Sequence, residues 1–286
     1  MGKRKNGGDD RDHPQTSGIY ATCQRKAEKK CEKELSLIFE EKLNEWYPEE
    51  LNQDDDDDDN DDDDKNEDDD DDNGKELSIE ESIKKELQEL NSNDNKHSKD
   101  KGLSSGGLKP KFQFIDLGCE CVIFCKTRKP IDPVEFVTKL CQFYKDSSIK
   151  STRFTQKLTP ITLSSSGSEE ELIKLAKIIL KPHFHKEINQ SPLKFAIQVT
   201  RRNFNVLGKD EIIRKIAECV GKSHGHSVDL KNFDKLIIVE CFKNNIGMSV
   251  VDQNYSNELE KFNLQMIFEK NQINNNNELS RVKPTI

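Results

Sequence analysis

The sequence predicts an α+β protein. A ferredoxin-like unit over residues 17–160 packs on a second α/β unit over 161–268, with an acidic insertion at 52–110 inside the first and disordered tails at 1–16 and 269–286. Three observations predict it. Apolar residues alternate in several short runs and recur at three- and four-residue steps in longer ones, so strands and amphipathic helices take turns along the chain. The first six elements read strand, helix, strand, strand, helix, strand, which suits a ferredoxin-like sandwich. Acidic residues crowd into one stretch that has nothing apolar to bury, so it interrupts the first unit without joining its core.

Charge supports the same division. Asp54–Asp72 holds fifteen Asp, Glu67 and Lys65, a net of −15; the whole chain is −9, so everything outside the stretch is +6. The chain pI of about 5.4 therefore hides a basic remainder. Between Leu108 and Phe268 there are twenty-five Lys and Arg against eighteen Asp and Glu. A moderately basic folded half suits a polyanion without requiring one. The acidic run reads as a solvated insertion, with cation binding or nucleic-acid mimicry as its alternatives.

No segment reaches the roughly 18–20 apolar residues of a membrane span, so no membrane partner is expected. Met1-Gly2-Lys3-Arg4-Lys5 is followed by polar residues rather than an apolar core, which argues against a secretory signal. The three basic residues read as a frayed terminus or a weak nuclear signal. The eight Cys are expected as reduced thiols.

The elements follow in order. Gly18–Cys23 reads as a strand. Glu28–Trp46 is an amphipathic helix with Leu35, Ile38, Phe39, Leu43 and Trp46 in register, closed by Pro48. Beyond the acidic run, Ser78–Leu90 has helical spacing, and Ser78 with Glu81 resembles a capping box. Lys111–Leu117 and Cys119–Lys126 form a hairpin about Gly118. Asp132-Pro133 starts a helix that runs to about Tyr144, and a strand follows from about Arg153 to Thr162. In the second unit, Ser164–Gly167 reads as a loop. Ser168 caps a helix over Glu169–Leu180 that Pro182 ends. Leu193–Thr200 is a strand, Arg201–Asn205 a basic loop, and Lys209–Val220 a helix stopped by Gly221. Val228–Leu230, Leu236–Phe242 and Met248–Val251 are strands, the last two joined by a turn at Asn244–Gly247.

Nucleotide-loop and metalloprotease signatures are absent: Gly221-Lys222-Ser223 lacks the upstream glycine of a phosphate loop, because position 216 is Ile. Cys119, Cys121 and Cys125 would share one face of a strand. With His183, His185, His224, His226 or Cys219 they offer zinc ligands, but small buried thiols are the simpler reading. No cofactor is expected. The segment from Leu193 to Lys215 carries more. An apolar strand delivers Arg201 and Arg202 just before a helix, and guanidinium groups fork two hydrogen bonds to a phosphate. The helix start adds free N–H groups suited to an anion. Lys194, Arg201, Arg202, Lys209, Arg214 and Lys215 are expected to form one basic face, with Phe204 stacking on a splayed base.

Those residues also carry a resemblance. Leu193–Arg202 (LKFAIQVTRR), Asp210–Gly221 (DEIIRKIAECVG), Val228–Val239 (VDLKNFDKLIIV) and Glu240-Cys241-Phe242 resemble a THUMP domain. With the early strand at Cys23, the acidic insertion, Phe112–Lys126, and the tail through Tyr255, Phe262 and Leu264, the chain is similar to the THUMP-domain-containing protein 1 family. The resemblance implies a ferredoxin-like unit and a THUMP unit acting together. It implies a grip on the acceptor arm and single-stranded 3′ end of tRNA, through Arg201 and Arg202 first and Lys194, Lys209 and Arg214 after them. It also implies that the chain does no chemistry itself, and that an RNA cytidine acetyltransferase forms acetylcytidine on the tRNA it presents. The expected compartment is the nucleus or nucleolus, with the cytoplasm as a further one. Two rivals stand beside this reading: an RNA-modifying enzyme or enzyme subunit with intrinsic activity, and an acidic chaperone for basic partners.

Overall fold

The computed structural model describes residues 16–49, 110–147 and 152–281. The acidic run, the capping box at Ser78 and the Lys3-Arg4-Lys5 cluster lie outside them.

The first sheet has four strands: β1 (Gly18–Cys23), β2 (Phe112–Ile115), β3 (Val122–Thr127) and β4 (Thr155–Ile161), in the order β2-β3-β1-β4. All neighbours are antiparallel. Helices α1 (Glu28–Trp46) and α2 (Pro133–Ser147) cover one face. The cause is the two-residue period of a strand. Ile19, Ala21 and Cys23 on β1, Ile123 and Cys125 on β3, and Leu158 on β4 turn inward with Leu35, Phe39, Phe136, Val137 and Leu140 of the helices. Phe39 and Phe136 meet edge to face with centroids 5.2 Å apart. Glu34 on α1 ties the start of β4 down. Its carboxylate accepts from the N–H groups of Arg153, Phe154 and Thr155 and from the Thr155 hydroxyl at 2.8 Å.

The second sheet has five strands: β5 (Leu163–Ser166), β6 (Lys194–Arg202), β7 (Ser227–Val228), β8 (Lys235–Phe242) and β9 (Asn245–Asp252), in the order β5-β9-β8-β6-β7. β6 runs parallel to β7 and β8, while β9 is antiparallel to β5 and β8. Helices α3 (Glu169–Phe184) and α4 (Lys209–Val220) pack on one face against Phe195, Val199, Ile237, Val239 and Cys241. The alternate residues Ala196, Leu236, Ile238 and Val251 belong to the core of the first sheet. The chain then closes through α5 (Asn254–Asn257), a 3-10 turn at Glu260–Phe262 and α6 (Leu264–Arg281).

Several expectations change, among them the turn expected at Asn244–Gly247, where β9 already begins at Asn245. Ser164–Gly167 is a strand rather than a loop through Ser166, because β5 completes the edge of the second sheet against Asn245–Met248. Pro182 does not end its helix, which runs on to Phe184; the carbonyl four residues earlier that loses its donor belongs to Ile178, whose side chain is exposed. Arg201 and Arg202 are the last residues of β6, not a loop, because they continue its ladder with Cys241 and Phe242. The tail expected to lack structure from 269 is helical to Arg281. Ile267, just before it, is buried, and the Asn271 amide donates to the carbonyls of Tyr144 and Lys145, capping the end of α2.

Candidate nucleic-acid interface

The parallel pair β6–β8 and the crossover α4 build the site. In such a unit the ends of the parallel strands and the start of the crossover helix meet at one edge, where loops are free to carry binding groups. Arg201, Arg202 and Lys209 all lie there. Because successive residues of a strand point to opposite faces, the two arginines diverge. Arg201 turns to the helix side: its Nη2 donates to the Phe204 carbonyl at 2.8 Å, and its guanidinium lies 5.9 Å from the Phe204 ring centre. The rest of the side chain is exposed. Arg202 turns to the face shared with the first sheet and is half-buried.

On that face Arg202 joins a polar group of Thr200, Glu240 and Lys157. Burial raises the Glu240 carboxyl above its ordinary range; the Thr200 hydroxyl, Lys157 and Arg202 pull it down less strongly. Burial lowers the Lys157 ammonium, opposed by Glu240 and reinforced by Arg202. Lys243, which sequence reasoning missed, continues the cationic edge. Its N–H donates to the Arg202 carbonyl at 3.1 Å and its Nζ stands 5.3 Å from the Phe242 ring centre. The signal was available in the hairpin Phe242-Lys243-Asn244-Asn245, whose tip must lie beside the end of β6.

The expected single basic face is not formed. Lys194 begins β6 while Arg201 is near its end, so at roughly 3.3 Å per residue they stand about 23 Å apart. Lys194 instead pairs with Asp229 at 3.3 Å. Lys209 and Arg214 are both exposed on α4, but five helical steps turn them about 140° from each other. Lys215 pairs with Glu169 at 2.6 Å. Phe204 is 2 % exposed and packs against Gly167, where an added Cβ would lie 2.8 Å from its ring. It is a core residue and offers no face to a base, which corrects the stacking role expected of it. The start of α4 is occupied too: Glu211 reaches back to the Gly208 N–H at 3.3 Å, and Asp210 stands beside it, so acids of the chain already answer the helix dipole.

The thiols and imidazoles separate. Cys121 sits in the turn before β3, at a φ of 64°, with its N–H on Glu28; Cys119 packs with Val122 and Phe124, and Cys125 faces the helices. The three therefore share no face. Burial pushes Cys31 to about 12, Cys23 to about 11 and Cys241 to about 12, so these thiols stay protonated. His226 accepts from the Leu193 N–H at Nδ1 and faces the Phe184 carbonyl with Nε2 at 2.9 Å, so both ring nitrogens are spent on holding the backbone. Among the described residues no group of three His, Cys, Asp or Glu is placed to hold a metal ion, and no helix is long and apolar enough to cross a membrane.

A basic strand end, crossover helix and hydrophobic hairpin in this order place the molecule among the THUMP proteins: residues 166–251 match the THUMP domain. The tRNA acetyltransferase TAN1 of Saccharomyces cerevisiae is 48% identical over 264 residues, covering 90% of this chain and 86% of that protein. An uncharacterized protein of Schizosaccharomyces pombe is 36% identical over 254 residues, 89% of this chain and 76% of its own. The THUMP domain-containing protein 1 homolog of Drosophila melanogaster is 32% identical over 157 residues, 54% of this chain and 46% of its own. The solution structure of the THUMP domain of THUMP domain-containing protein 1 is 32% identical, covers 31% of this chain and 88% of that one, and gives a TM-score of 0.27. The chain belongs to the THUMP-domain family of the yeast protein.

Proposed function

We propose that this chain is a non-catalytic tRNA-binding adaptor in tRNA modification, which presents the acceptor arm and 3′ end of tRNA to a separate RNA cytidine acetyltransferase. The observation that carries the reading is the cationic edge at the ends of β6 and β8, where Arg201 and Arg202 close one strand, Lys209 starts the following helix and Lys243 follows the other strand. Phosphate contacts of this kind fix position and register, which is what a presenting protein must do. Relationship to a protein named for tRNA acetylation supports the choice of RNA and of reaction. The adaptor works in the nucleus or nucleolus, where the acetyltransferase would meet new tRNA.

The name of the yeast relative favours a second reading, intrinsic acetyl transfer. One experiment separates the two. The purified chain is incubated with tRNA and acetyl-CoA, with and without the partner acetyltransferase, while binding is measured for the parent and for an Arg201→Glu, Arg202→Glu variant. The adaptor reading expects acetylcytidine only when the partner is present, and a loss of tRNA affinity of at least tenfold in the variant, since each lost charge-assisted contact is worth about 1.5–3 kcal/mol. Acetylcytidine from the chain alone establishes the second reading. Undiminished binding by the variant moves the RNA elsewhere.

A further inference from the structure

The exposed side of α1 is cationic over its first two turns. Lys26 precedes the helix, Lys29, Lys30 and Lys33 lie on it, and all four are exposed. At about 100° of turn per residue the three helical lysines share one arc of about 100°, on the side away from the buried Cys31, Leu35 and Phe39. Arg153 and Phe154, which lead into β4, extend the patch. The Lys30 ammonium stands 5.4 Å from the Phe154 ring centre and the Arg153 guanidinium 5.5 Å from it. One half-buried ring thus braces two cations. The backbone beneath them is fixed. Besides the Glu34 carboxylate on its N–H groups, the Gln24 N–H donates to the Phe154 carbonyl at 3.2 Å, and the Gln24 amide donates to the Arg153 carbonyl at 3.3 Å.

The patch is not neutralised from within. None of Lys26, Lys29, Lys30, Lys33 and Arg153 has an ion-pair partner among the described residues. The acids around them are turned elsewhere. Glu28 accepts from the Cys121 N–H at 2.7 Å, Glu34 holds the start of β4, and Glu120 pairs with Arg25 at 3.3 Å. Glu32 stands about 160° of helix from Lys30, and Glu40 and Glu41 come about 10 Å beyond Lys33 along the axis. The patch also joins the edge described above. Lys157, within β4, lies in electrostatic reach of Arg202 and Glu240. Phe154 precedes it by three residues, no more than about 10 Å of chain. Cations therefore continue from Arg202 across Lys157 to Arg153 and Lys30. The outside of a helix, with its one aromatic engaged by its own cations, is poorly shaped to read bases. Lysine ammoniums are point charges suited to phosphates, and duplex RNA is gripped through backbone and shape.

We propose that Lys29, Lys30, Lys33 and Arg153 hold backbone phosphates of double-stranded RNA, the stem beside the end that the Arg201–Arg202 edge takes. The inference rests on the tRNA-binding reading above and deepens it, by assigning the stem to the ferredoxin-like unit.

The test uses the full chain and three RNAs: a whole tRNA, a hairpin of its acceptor stem with the 3′ end, and that single-stranded end alone. Affinity is followed against salt for the parent and for a chain carrying Lys29→Gln, Lys30→Gln and Lys33→Gln. A control carries Lys181→Gln, Lys222→Gln and Lys231→Gln, exposed lysines elsewhere whose loss changes the net charge equally. On the tRNA and the hairpin the first variant binds at least about tenfold more weakly at physiological salt. Its salt slope falls by roughly two to three, about one for each lost phosphate contact. On the single strand it matches the parent. Lys29→Arg, Lys30→Arg and Lys33→Arg together restore the slope, and the control keeps it. A parental slope on the hairpin, or an equal deficit in the control, overturns the proposal and leaves the adaptor reading standing. No tRNA binding by the parent overturns both. Should the far-ultraviolet spectrum of the glutamine variant depart from the parent's, Arg153→Gln alone decides, with an expected fall in slope of about one.

Discussion

A half-buried carboxylate beside two half-buried cations is a choice between desolvation and attraction, and at Glu240 desolvation wins. The sign of its effect on stability follows. A folded-state value above the unfolded one means the native protein binds the proton more tightly. The stabilisation is therefore full below the ordinary glutamate range and is lost as pH rises through the raised value. Glu240→Gln keeps a neutral polar group beside Thr200 and removes this dependence. Thermal melts of the two proteins should diverge in favour of the variant as pH climbs from 4 toward 7. Parallel melting curves across that interval would show that Lys157 and Arg202 compensate the charge fully. Arg201 illustrates a different limit at the same scale. One edge of its guanidinium already holds the Phe204 carbonyl, so a ligand can engage only the remaining donors.

Local elements were legible where the apolar period was clean. Gly18–Cys23, Glu28–Trp46 and Lys209–Val220 have the bounds that alternation and three- and four-residue spacing give them. The misses share a cause, which is that pairing in three dimensions overrode composition. Three consecutive serines read as loop, yet β5 gains its order from the ladder to β9, and Ser164 and Ser165 are buried by it. Phe204 sits among polar neighbours and read as exposed, yet the turn at Asn203, with a φ of 52°, folds its ring back over the helix-side core. At α3 the sequence signal and the structure agree on a cap: the Ser168 hydroxyl accepts from the Glu171 N–H at 3.3 Å. Ser168→Ala should lower stability by about 0.5–1 kcal/mol in chemical denaturation, with an unchanged denaturant slope. A larger loss would mean that β5 comes apart with the helix it precedes.

At the scale of the whole molecule, the net charge misdescribes the surface that RNA would meet. The chain is −9, but the cations at the β6–β8 edge act over about 8 Å in physiological salt, within which only neighbouring groups count. Binding to tRNA should therefore weaken as salt rises, by roughly 0.7–0.9 log units per decade for each phosphate neutralised. The Arg201→Glu, Arg202→Glu variant should show a shallower slope than the parent, and equal slopes would place those arginines outside the contact.

Thr162 alone separates β4 from β5, so the chain passes from the first sheet into the second across a single residue, which can span no more than about 3.5 Å. The N–H of that residue is itself held by the Met248 carbonyl at 3.0 Å. With so little slack, the two sheets cannot slide past one another without breaking the β5–β9 ladder. The spacing of the two sheets is then held by one residue of chain and one ladder, like the gap of a caliper. A partner that touched both sheets would be sized as well as held.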